Sequence, residues 1–129
     1  MEGRVKVLGK KRVAIIDDDG SVRTGLSRQL RSRGISVTAF GSAQEFLADG
    51  NVNDWDCLMV DLRMPGLTGF DLIEELDRRQ VRVPLIIMTA FVTPAAREEV
   101  RRKRAICLLE KPFLGVAIDR CLRLAFAAA

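Results

Sequence analysis

The feature that most constrains the fold of this chain is a regular alternation of short apolar segments with stretches of helical spacing. The apolar segments start near residues 12, 34, 56, 83 and 105, so successive segments begin 22 to 27 residues apart. They are Arg12–Ile16, Ile35–Phe40, Cys57–Val60, Val83–Met88 and Ala105–Leu109. Strands that alternate with helices through short connections predict an α/β domain, in which a parallel sheet carries helices on both faces.

The stretches between these segments begin with residues that favour helix N-termini. Val22, Leu26 and Leu30 recur at every fourth position, and Ser21 precedes them as the predicted N-cap of the first helix. The predicted starts of the later helices are Ser42, Thr68, Thr93 and the segment after Pro112. Each predicted strand is therefore followed by a predicted helix.

A chain of 129 residues, 48% apolar and 29% charged, is large enough for one domain with one hydrophobic core. We expect this domain to cover residues 12–126, between an N-terminal extension of residues 1–11 and a short tail of residues 127–129. No apolar run approaches the roughly 18 residues that a membrane span needs. The net charge of +4 is only mildly basic. These observations predict a soluble cytoplasmic protein that enters no membrane and binds no nucleic acid directly.

The histidine and cysteine content excludes several kinds of site. The chain has no histidine, which rules out Ser–His and Cys–His nucleophile pairs, imidazole metal sites and phosphohistidine carriers. Its three cysteines, Cys57, Cys107 and Cys121, are far apart and form no CxxC motif. Because two of them lie within apolar segments, we expect reduced core thiols rather than a disulfide or a zinc site.

Polar residues follow four of the five apolar segments. Asp17 and Asp18 follow the first segment, and Asp61 follows the third. Thr89 and Lys111 follow the fourth and the fifth. The carboxyl ends of parallel strands share one edge of a sheet, and in the strand order 2-1-3-4-5 the first and third strands are neighbours. This edge is therefore predicted to gather three carboxylates, one hydroxyl and one ammonium group.

Such a cluster has a definite chemistry. Three carboxylates in one crevice repel one another unless a cation lies among them or one of them stays protonated. All-oxygen ligation suits Mg²⁺. In such a site Asp61 can act as a nucleophile and form an acyl phosphate. Lys111 can neutralise one phosphoryl oxygen while Thr89 donates a hydrogen bond to another.

Four short motifs carry these residues, and in this order they resemble the receiver domain of bacterial two-component response regulators, in the style of the nitrogen-fixation-regulator-like branch. The motifs are Val13–Asp19, Asp61–Leu72, Met88–Ala90 and Glu110–Phe113. The resemblance extends from about Arg12 to Phe126. It implies a flavodoxin-like or CheY-like fold: a doubly wound, five-stranded parallel sheet of five βα units with strand order 2-1-3-4-5.

The resemblance also implies roles for the acidic residues. Asp61 would be the phosphoacceptor, and Asp17 and Asp18 would be the acidic pair that holds Mg²⁺. Asp61 itself and the main-chain carbonyl of Arg63 would complete the protein's ligands. Arg63 and Phe91 flank the site two residues after Asp61 and Thr89, where their side chains can screen an acyl phosphate from water.

At the last two strands, Thr89 and Lys111 match the family's switch hydroxyl and its phosphate-binding lysine. The Lys111–Pro112 peptide bond is expected to be cis. Leu108 departs from the pattern, since the family usually has an aromatic residue there, and the substitution puts the usual readout of that ring in doubt. Arg104 replaces a frequent glycine, and we interpret it as a solvated side chain.

The implied partners follow from the same resemblance. A histidine kinase or a histidine phosphotransfer protein would donate the phosphoryl group, because this chain has no histidine of its own. Phosphorylation and dephosphorylation of Asp61 would be the only chemistry, so the chain is not expected to be an enzyme in the usual sense. The output would pass to a protein bound at the fourth helix, fifth strand and fifth helix, and a dimer formed on phosphorylation is compatible with this expectation.

Two other interpretations fit parts of the sequence. Ile16–Val22 matches the first motif of haloacid-dehalogenase-like phosphatases, in which Asp17 would be the nucleophile and Asp19 the acid/base. The basic run Arg101–Arg104, together with Arg97, would suit an interaction module. Because no aromatic residues interleave with this run, we expect it to face an acidic protein surface rather than nucleic acid.

Overall fold

The computed structural model of the protein describes residues 10–103 and 105–128. In these ranges five β-strands alternate with five α-helices. The strands are β1 (Arg12–Ile16), β2 (Ser36–Phe40), β3 (Cys57–Asp61), β4 (Leu85–Thr89) and β5 (Cys107–Glu110). The helices are α1 (Gly20–Arg31), α2 (Ala43–Asp49), α3 (Gly69–Arg78), α4 (Pro94–Arg102) and α5 (Gly115–Ala128). Most of the predicted N-terminal extension, residues 1–9, lies outside the described residues.

The strands form one parallel sheet in the order β2-β1-β3-β4-β5, which confirms the predicted fold class. Ile16 at the end of β1 lies opposite Val60 of β3, and Asp61 lies opposite Met88 of β4. Thr89 in turn lies opposite Glu110. The carboxyl ends of the four strands β1, β3, β4 and β5 therefore stop at nearly the same level, and the residues that follow them emerge side by side.

The sheet is covered on both faces, which explains why its central strands are continuously apolar. On one face, residues of α2, α3 and α4 such as Phe46, Leu72 and Val100 pack in one buried cluster with alternate strand residues. On the other face, Leu26 of α1 and Ile118 of α5 pack in a second cluster. Helices on both sides of a parallel sheet are the doubly wound arrangement that the alternating sequence predicts.

The N-cap of the first helix lies two residues earlier than predicted. Asp19, not Ser21, is the N-cap of α1: its carboxylate oxygen accepts hydrogen bonds from the backbone N–H groups of Ser21 and Val22. An acidic N-cap satisfies these free N–H groups and also carries the charge that the positive end of a helix favours. The serine is drawn into the first turn as a consequence.

The other predicted helix starts agree with the structure, except for the last. Ser42 and Thr93 cap α2 and α4 with their hydroxyl oxygens, and Thr68 forms a capping box with Asp71 at the start of α3. The last helix starts at Gly115 and continues to Ala128, two residues into the segment predicted as a tail. None of the described helices combines the length and the apolar character needed to cross a lipid bilayer.

The expectation of three reduced cysteines is wrong for two of them. Cys107 on β5 and Cys121 on α5 form a disulfide, with their Cα atoms 5.6 Å apart. The two residues lie on the surfaces through which α5 packs against the sheet, so the pairing follows from tertiary packing and has no signature in the spacing of the sequence. Cys57 remains a free thiol in the core, and burial raises its pKa far above the ordinary value, which keeps it protonated and unreactive.

A close backbone approach fixes α3 behind the end of β3. A Cβ atom built on Gly69 would lie 2.5 Å from the carbonyl oxygen of Asp61 and 3.0 Å from the Cα atom of Leu62. Both are backbone atoms, which cannot rotate aside as a flexible side chain can. The N–H of Gly69 also donates to the carbonyl oxygen of Leu62 over 3.1 Å. The absence of a side chain at this position therefore sets the distance between α3 and the residues that follow Asp61.

We predict opposite effects for alanine at two helical glycines. Gly69→Ala is expected to lower the free energy of unfolding by about 1–3 kcal/mol, because the added methyl group overlaps backbone atoms. Gly25→Ala on α1 is expected to raise it by about 0.5–1 kcal/mol, because nothing lies within 4 Å of the new Cβ and alanine favours a helix. Urea unfolding followed by the fluorescence of Trp55, the single tryptophan, measures both. Equal stabilisation by the two substitutions would contradict the close approach at Gly69.

Candidate functional site

Three carboxylates meet at the edge of the sheet. Asp17 and Asp18 follow β1, Asp61 ends β3, and one carboxylate oxygen from each lies within 4.8 Å of the other two. Asp17 and Asp61 are buried, with relative exposures of 0% and 5%, whereas Asp18 is exposed. The cluster is therefore a partly buried acidic pocket with one side open to solvent. It exists because β1 and β3, which are about 40 residues apart in the chain, are neighbours in the sheet.

One ammonium group bridges two of these carboxylates. The Nζ atom of Lys111, in the loop after β5, donates to Oδ2 of Asp17 over 2.8 Å and to Oδ1 of Asp61 over 3.1 Å. Its backbone N–H donates to the carbonyl oxygen of Thr89 over 2.8 Å, which fixes the loop against the end of β4. A single positive charge thus compensates part of the negative charge that the sheet brings together.

Asp17 is held in place on every side. Its N–H donates to the carbonyl oxygen of Phe40 over 3.1 Å, and its Oδ1 accepts from the N–H of Asp19 over 2.9 Å. Its carbonyl oxygen accepts from Nη1 of Arg23 over 2.8 Å. Reasoning from the sequence did not identify Arg23, because nothing in the helical pattern of α1 indicates which backbone atom an arginine six residues away will reach. Asp17 therefore has little freedom to rotate, and Asp18 and Asp61 hold the more adaptable oxygens.

Burial and charge shift the ionisation of the cluster. Burial is the largest cause that raises the pKa of Asp61 from 3.8 to about 6, and the negative charge of Asp17 adds to it, while the hydrogen bond from Lys111 opposes it. For Lys111, burial by itself lowers the pKa, but the hydrogen bonds and charges of Asp17 and Asp61 outweigh it, so the pKa is raised above its ordinary value. The lysine stays charged, and the pocket retains more negative charge than one lysine offsets.

The donor set of this pocket fits a hard divalent cation. All three candidate ligands are carboxylate oxygens, they converge within one ion's reach, and one of them is exposed so that water can complete a coordination shell. Burial is the main reason that the pKa of Asp61 is raised, but the negative charge of Asp17 adds to it, and a cation would relieve that second contribution. The acidic cluster is therefore able to bind a metal ion of the Mg²⁺ type.

Thr89 ends β4 next to the pocket and is buried, with 1% exposure. Its hydroxyl oxygen accepts a hydrogen bond from the N–H of Phe91 over 3.1 Å. The ring of Phe91 is 60% exposed, and the guanidinium of Arg63 lies over it, 5.0 Å from the ring centroid. A cation–π pair therefore joins the loop after β3 to the loop after β4, on the solvent side of the site.

Three further expectations concern the end of the chain. The Lys111–Pro112 peptide bond is cis, as the family resemblance implied. Leu108 is partly buried and packs against the apolar cluster that lies beneath α4. Arg104 lies outside the described residues.

The family model of the response regulator receiver domain matches residues 13–122, nearly the full length of the sheet and its helices. The chain belongs to this family. The match confirms the predicted receiver domain of a two-component response regulator, and it identifies a signalling module rather than a member of an ordinary enzyme family.

The receiver domain is similar to several transcriptional regulators. It is 39% identical over 111 residues to the transcriptional regulatory protein FixJ of Azorhizobium caulinodans. The matched region covers 86% of this chain and 53% of FixJ. It is 35% identical to nodulation protein W of Bradyrhizobium diazoefficiens, over 86% of this chain and 49% of that protein. The chain thus spans about half the length of these curated relatives.

Solved structures show the same fold. The crystal structure of FixJ-N is 30% identical, with a TM-score of 0.81 over 92% of this chain and 95% of the other. The chemotaxis protein CheY4 of Vibrio cholerae is 25% identical, with a TM-score of 0.81 over 88% of this chain and 97% of the other. The fold of this receiver domain is therefore CheY-like, as its strand order indicates.

The phosphatase interpretation of the first acidic motif loses its support in this receiver domain. That interpretation requires the Asp19 carboxylate as an acid/base, but one of its oxygens caps α1 by accepting from two backbone N–H groups. Both carboxylate oxygens of Asp17 already accept hydrogen bonds, Oδ1 from the N–H of Asp19 and Oδ2 from Lys111, so neither is left free to attack a substrate. The family match, in contrast, accounts for Asp61 and the motif that follows it.

The basic run at the end of α4 is largely neutralised by acidic neighbours. Ion pairs join Arg101 to Glu98, Arg102 to Glu99 and Lys103 to Glu74. Exposed pairs of this kind contribute little to stability, but they leave less free positive charge for a phosphate backbone. The run therefore offers little support for a nucleic-acid interface.

We predict that Asp61→Asn stabilises the metal-free domain at neutral pH. The folded-state pKa of about 6 exceeds the ordinary 3.8, so the folded protein binds the Asp61 proton more tightly than the unfolded chain does. Wild-type stability then falls as the pH rises through 4 to 6, and the asparagine variant avoids this loss. Urea unfolding in EDTA should give the variant an advantage of on the order of 1–3 kcal/mol at pH 7.5, which shrinks towards pH 4.

Asp49→Asn is the matched control, because it removes one negative charge from an exposed site at the end of α2. It should change stability by less than about 0.5 kcal/mol at either pH. A gain for Asp61→Asn that does not depend on pH, or one that the control reproduces, would contradict the electrostatic origin of the effect.

Proposed function

We propose that this receiver domain accepts a phosphoryl group on the carboxylate of Asp61 from a phosphohistidine of a sensor kinase or of a histidine phosphotransfer protein. The observation that carries the proposal is the convergence of the three carboxylates and Lys111 at one edge of the sheet. Phosphoryl transfer requires mainly positioning and charge neutralisation, and this constellation offers both.

In the transfer, a carboxylate oxygen of Asp61 attacks the phosphorus atom. A new oxygen–phosphorus bond forms as the phosphorus–nitrogen bond of the donor breaks, and the imidazole leaves with the electron pair of that bond. The ammonium group of Lys111 donates a hydrogen bond to Asp61. After the transfer it can donate to a phosphoryl oxygen instead and neutralise the negative charge there. Asp61 must be ionised to attack, so the same lysine favours the reactive form of the nucleophile.

The residues that would hold Mg²⁺ are Asp17, Asp18 and Asp61, with the main-chain carbonyl of Arg63 as a fourth oxygen two residues after the phosphoacceptor. When bound, Mg²⁺ supplies positive charge to the oxygens of the phosphoryl group and of its acceptor. Asp18 is the exposed member of the set and can take the orientation that the ion requires, whereas Asp17 is fixed by its hydrogen bonds.

Thr89 is placed to sense the phosphoryl group. Its oxygen accepts from the N–H of Phe91, and a hydroxyl can accept and donate at the same time, so its proton is available for a phosphoryl oxygen. A hydrogen bond made only in the phosphorylated state would bias the loop between β4 and α4 towards a second arrangement. The aspartyl phosphate is in this way converted into a change of shape.

The surface that would report this change consists of α4, β5 and α5. A groove of about 500 Å³ lies between α4 and β5, lined by Val100 and Leu108 at its floor and by Arg97, Arg101 and Glu98, the partner of Arg101, around it. Leu108 leaves this groove without an aromatic ring. Arg97 forms no ion pair among the described residues, so it leaves the groove with a net positive charge beside its apolar floor. This combination suits an acidic protein segment, which is the chemistry that we propose for a downstream partner.

Arg63 and Phe91 are proposed to prolong the life of the phosphorylated state. The cation–π pair joins the loops that follow β3 and β4, the strands that end in Asp61 and Thr89, so we propose that its side chains lie on the path of water to the phosphorus atom. While the contact between Arg63 and Phe91 is formed, the two side chains are proposed to keep water away from the acyl phosphate.

We predict Mg²⁺-dependent labelling of Asp61 by a small phosphodonor such as phosphoramidate. Wild type should be labelled in Mg²⁺ and not in EDTA, and Asp61→Asn should not be labelled. Borohydride reduces an aspartyl phosphate to the alcohol homoserine and releases phosphate. Mass spectrometry after this treatment should therefore find homoserine at position 61. Asp49→Asn should be labelled like wild type. Label at Asp17, as the phosphatase interpretation requires, or label that survives in Asp61→Asn, would contradict the proposal.

We predict that Arg63→Ala and Phe91→Ala each shorten the half-life of the phosphorylated domain by about 2- to 5-fold, the effect of losing one exposed cation–π contact. The double variant should hydrolyse no faster than the faster single variant, because both remove the same contact. The loss of label over time after removal of the donor measures these rates. Arg123→Ala, an exposed arginine of α5, is the control; if it accelerates hydrolysis equally, or if the two single effects multiply, the shielding role fails.

A further inference from the structure

A cleft between α1 and the edge strand β2 carries basic and hydroxyl side chains that the phosphorylation chemistry does not use. Its volume is about 360 Å³. Four of its lining residues recur at the spacing i, i+3, i+4 and i+7, so they share one face of α1. The lining residues are Arg23, Thr24, Ser27, Arg28, Arg31 and Ala39. We call this the α1–β2 cleft, and none of these residues is a carboxylate.

Arg28 and Arg31 of the α1–β2 cleft have no acidic ion-pair partner among the described residues, and Arg23 has none either, although its guanidinium lies near Glu45 and at the carbonyl oxygen of Asp17. Arginines on α3 and α4 pair with glutamates of their own helix, as Arg79 does with Glu75 over 2.7 Å. Within residues 10–103 and 105–128, no carboxylate forms an ion pair with Arg23, Arg28 or Arg31. Like charges around one concavity repel one another, so the binding of an anion there is electrostatically favourable.

Two of the three guanidinium groups are already positioned. Nη1 of Arg23 donates to the carbonyl oxygen of Asp17 over 2.8 Å, and Nη2 of Arg31 donates to the carbonyl oxygen of Val37 over 3.4 Å. Ser27 is buried, with 6% exposure, which places a polar side chain against the wall of the cleft. Because these groups are held before any ligand arrives, less conformational entropy is lost on binding.

The edge of the sheet adds a backbone donor. The N–H of Ser36 donates to Lys11, and the carbonyl oxygen of Phe40 accepts from Asp17, so the even-numbered peptide groups of β2 face β1. The odd-numbered groups face away from the sheet, as the contact between Arg31 and Val37 illustrates. The N–H of Ala39 therefore points outward at a position that lines the cleft.

We propose that the α1–β2 cleft binds a small phosphate-bearing anion. Guanidinium groups pair with phosphate oxygens through two parallel hydrogen bonds, and the hydroxyls and the Ala39 N–H offer further donors. The volume lies near the lower end of the range for small-ligand sites, about 300–1,000 Å³. The cleft has the opposite charge to the acidic pocket, and Arg23 links the two through its hydrogen bond to the carbonyl oxygen of Asp17.

The test is a titration of the full chain with inorganic pyrophosphate, followed by the backbone amide resonances. EDTA is present so that the acidic pocket cannot take part through a metal, and sodium chloride holds the ionic strength constant. Shifts should concentrate at residues 24–31 and 37–39. Inorganic phosphate and adenosine diphosphate, titrated separately, distinguish a free phosphate from a phosphate carried on a larger molecule.

Arg28→Gln/Arg31→Gln should weaken the binding of pyrophosphate about tenfold or more, since it removes two charge-assisted contacts. Arg78→Gln/Arg79→Gln removes the same charge from the end of α3, outside the sites described here, and should leave the affinity within about twofold. Both double variants should still be labelled on Asp61, so failure of the cleft and failure of the phosphoacceptor give different results. Equal weakening in the two double variants, shifts that sodium chloride alone reproduces, or a preference for a short DNA duplex over all three phosphates would overturn the proposal.

Discussion

The contact on which the site depends is the ammonium group of Lys111 between the carboxylates of Asp17 and Asp61. Three carboxylates at the edge of a sheet are unfavourable together, and the negative charge of Asp17 adds to burial in raising the pKa of Asp61. The lysine offsets part of this negative charge without filling the pocket, since Asp18 stays exposed on the far side. An acidic pocket that is only partly neutralised favours the binding of a cation. It also suits a reaction in which negative charge on a phosphoryl oxygen comes to lie beside the lysine.

The fold provides this contact through strand order rather than through any local motif. The pocket needs β1 beside β3, and β5 close enough for the loop after it to reach back over 94 residues of sequence to Asp17. Helices on both faces keep the central strands dry, so that Asp17 and Asp61 are buried where their strands end. Gly69 lets α3 approach the backbone behind Asp61. The core thus positions a site whose clustered charges lower the stability of the folded domain. Such a cost is common where function needs an unfavourable arrangement of charge.

The parts of the structure that sequence reasoning predicted are those with a local signature. Strand positions followed from apolar segments, and the caps at Thr68 and Thr93 followed from residue type. The candidate site residues were predicted from their positions at or just after the ends of strands, and the sheet brings Asp17, Asp18, Asp61 and Lys111 together. The choice of Asp19 over Ser21 as the cap of α1 was missed, since both residues can cap and only the geometry of the turn decides between them.

What could not be predicted depends on contacts between distant elements. The pairing of Cys107 with Cys121 and the reach of Arg23 to the Asp17 carbonyl arise from how helices pack on the sheet, which no spacing in the chain encodes. The close approach at Gly69 also has no marker beyond the presence of a glycine. The α1–β2 cleft belongs to the same class: its arginines look like a solvated helix face until the edge strand is placed beside them.

The most direct test of this account is a titration of the side-chain carboxyl carbon of Asp61 by NMR, with and without Mg²⁺. Without the ion, the carboxyl should titrate near pH 6, because burial and the neighbouring aspartates oppose its ionisation. Saturating Mg²⁺ should move the midpoint below the ordinary value near 4, since the ion stabilises the charged form. A midpoint near 4 that Mg²⁺ leaves unchanged would contradict the claim that these carboxylates share one electrostatic site.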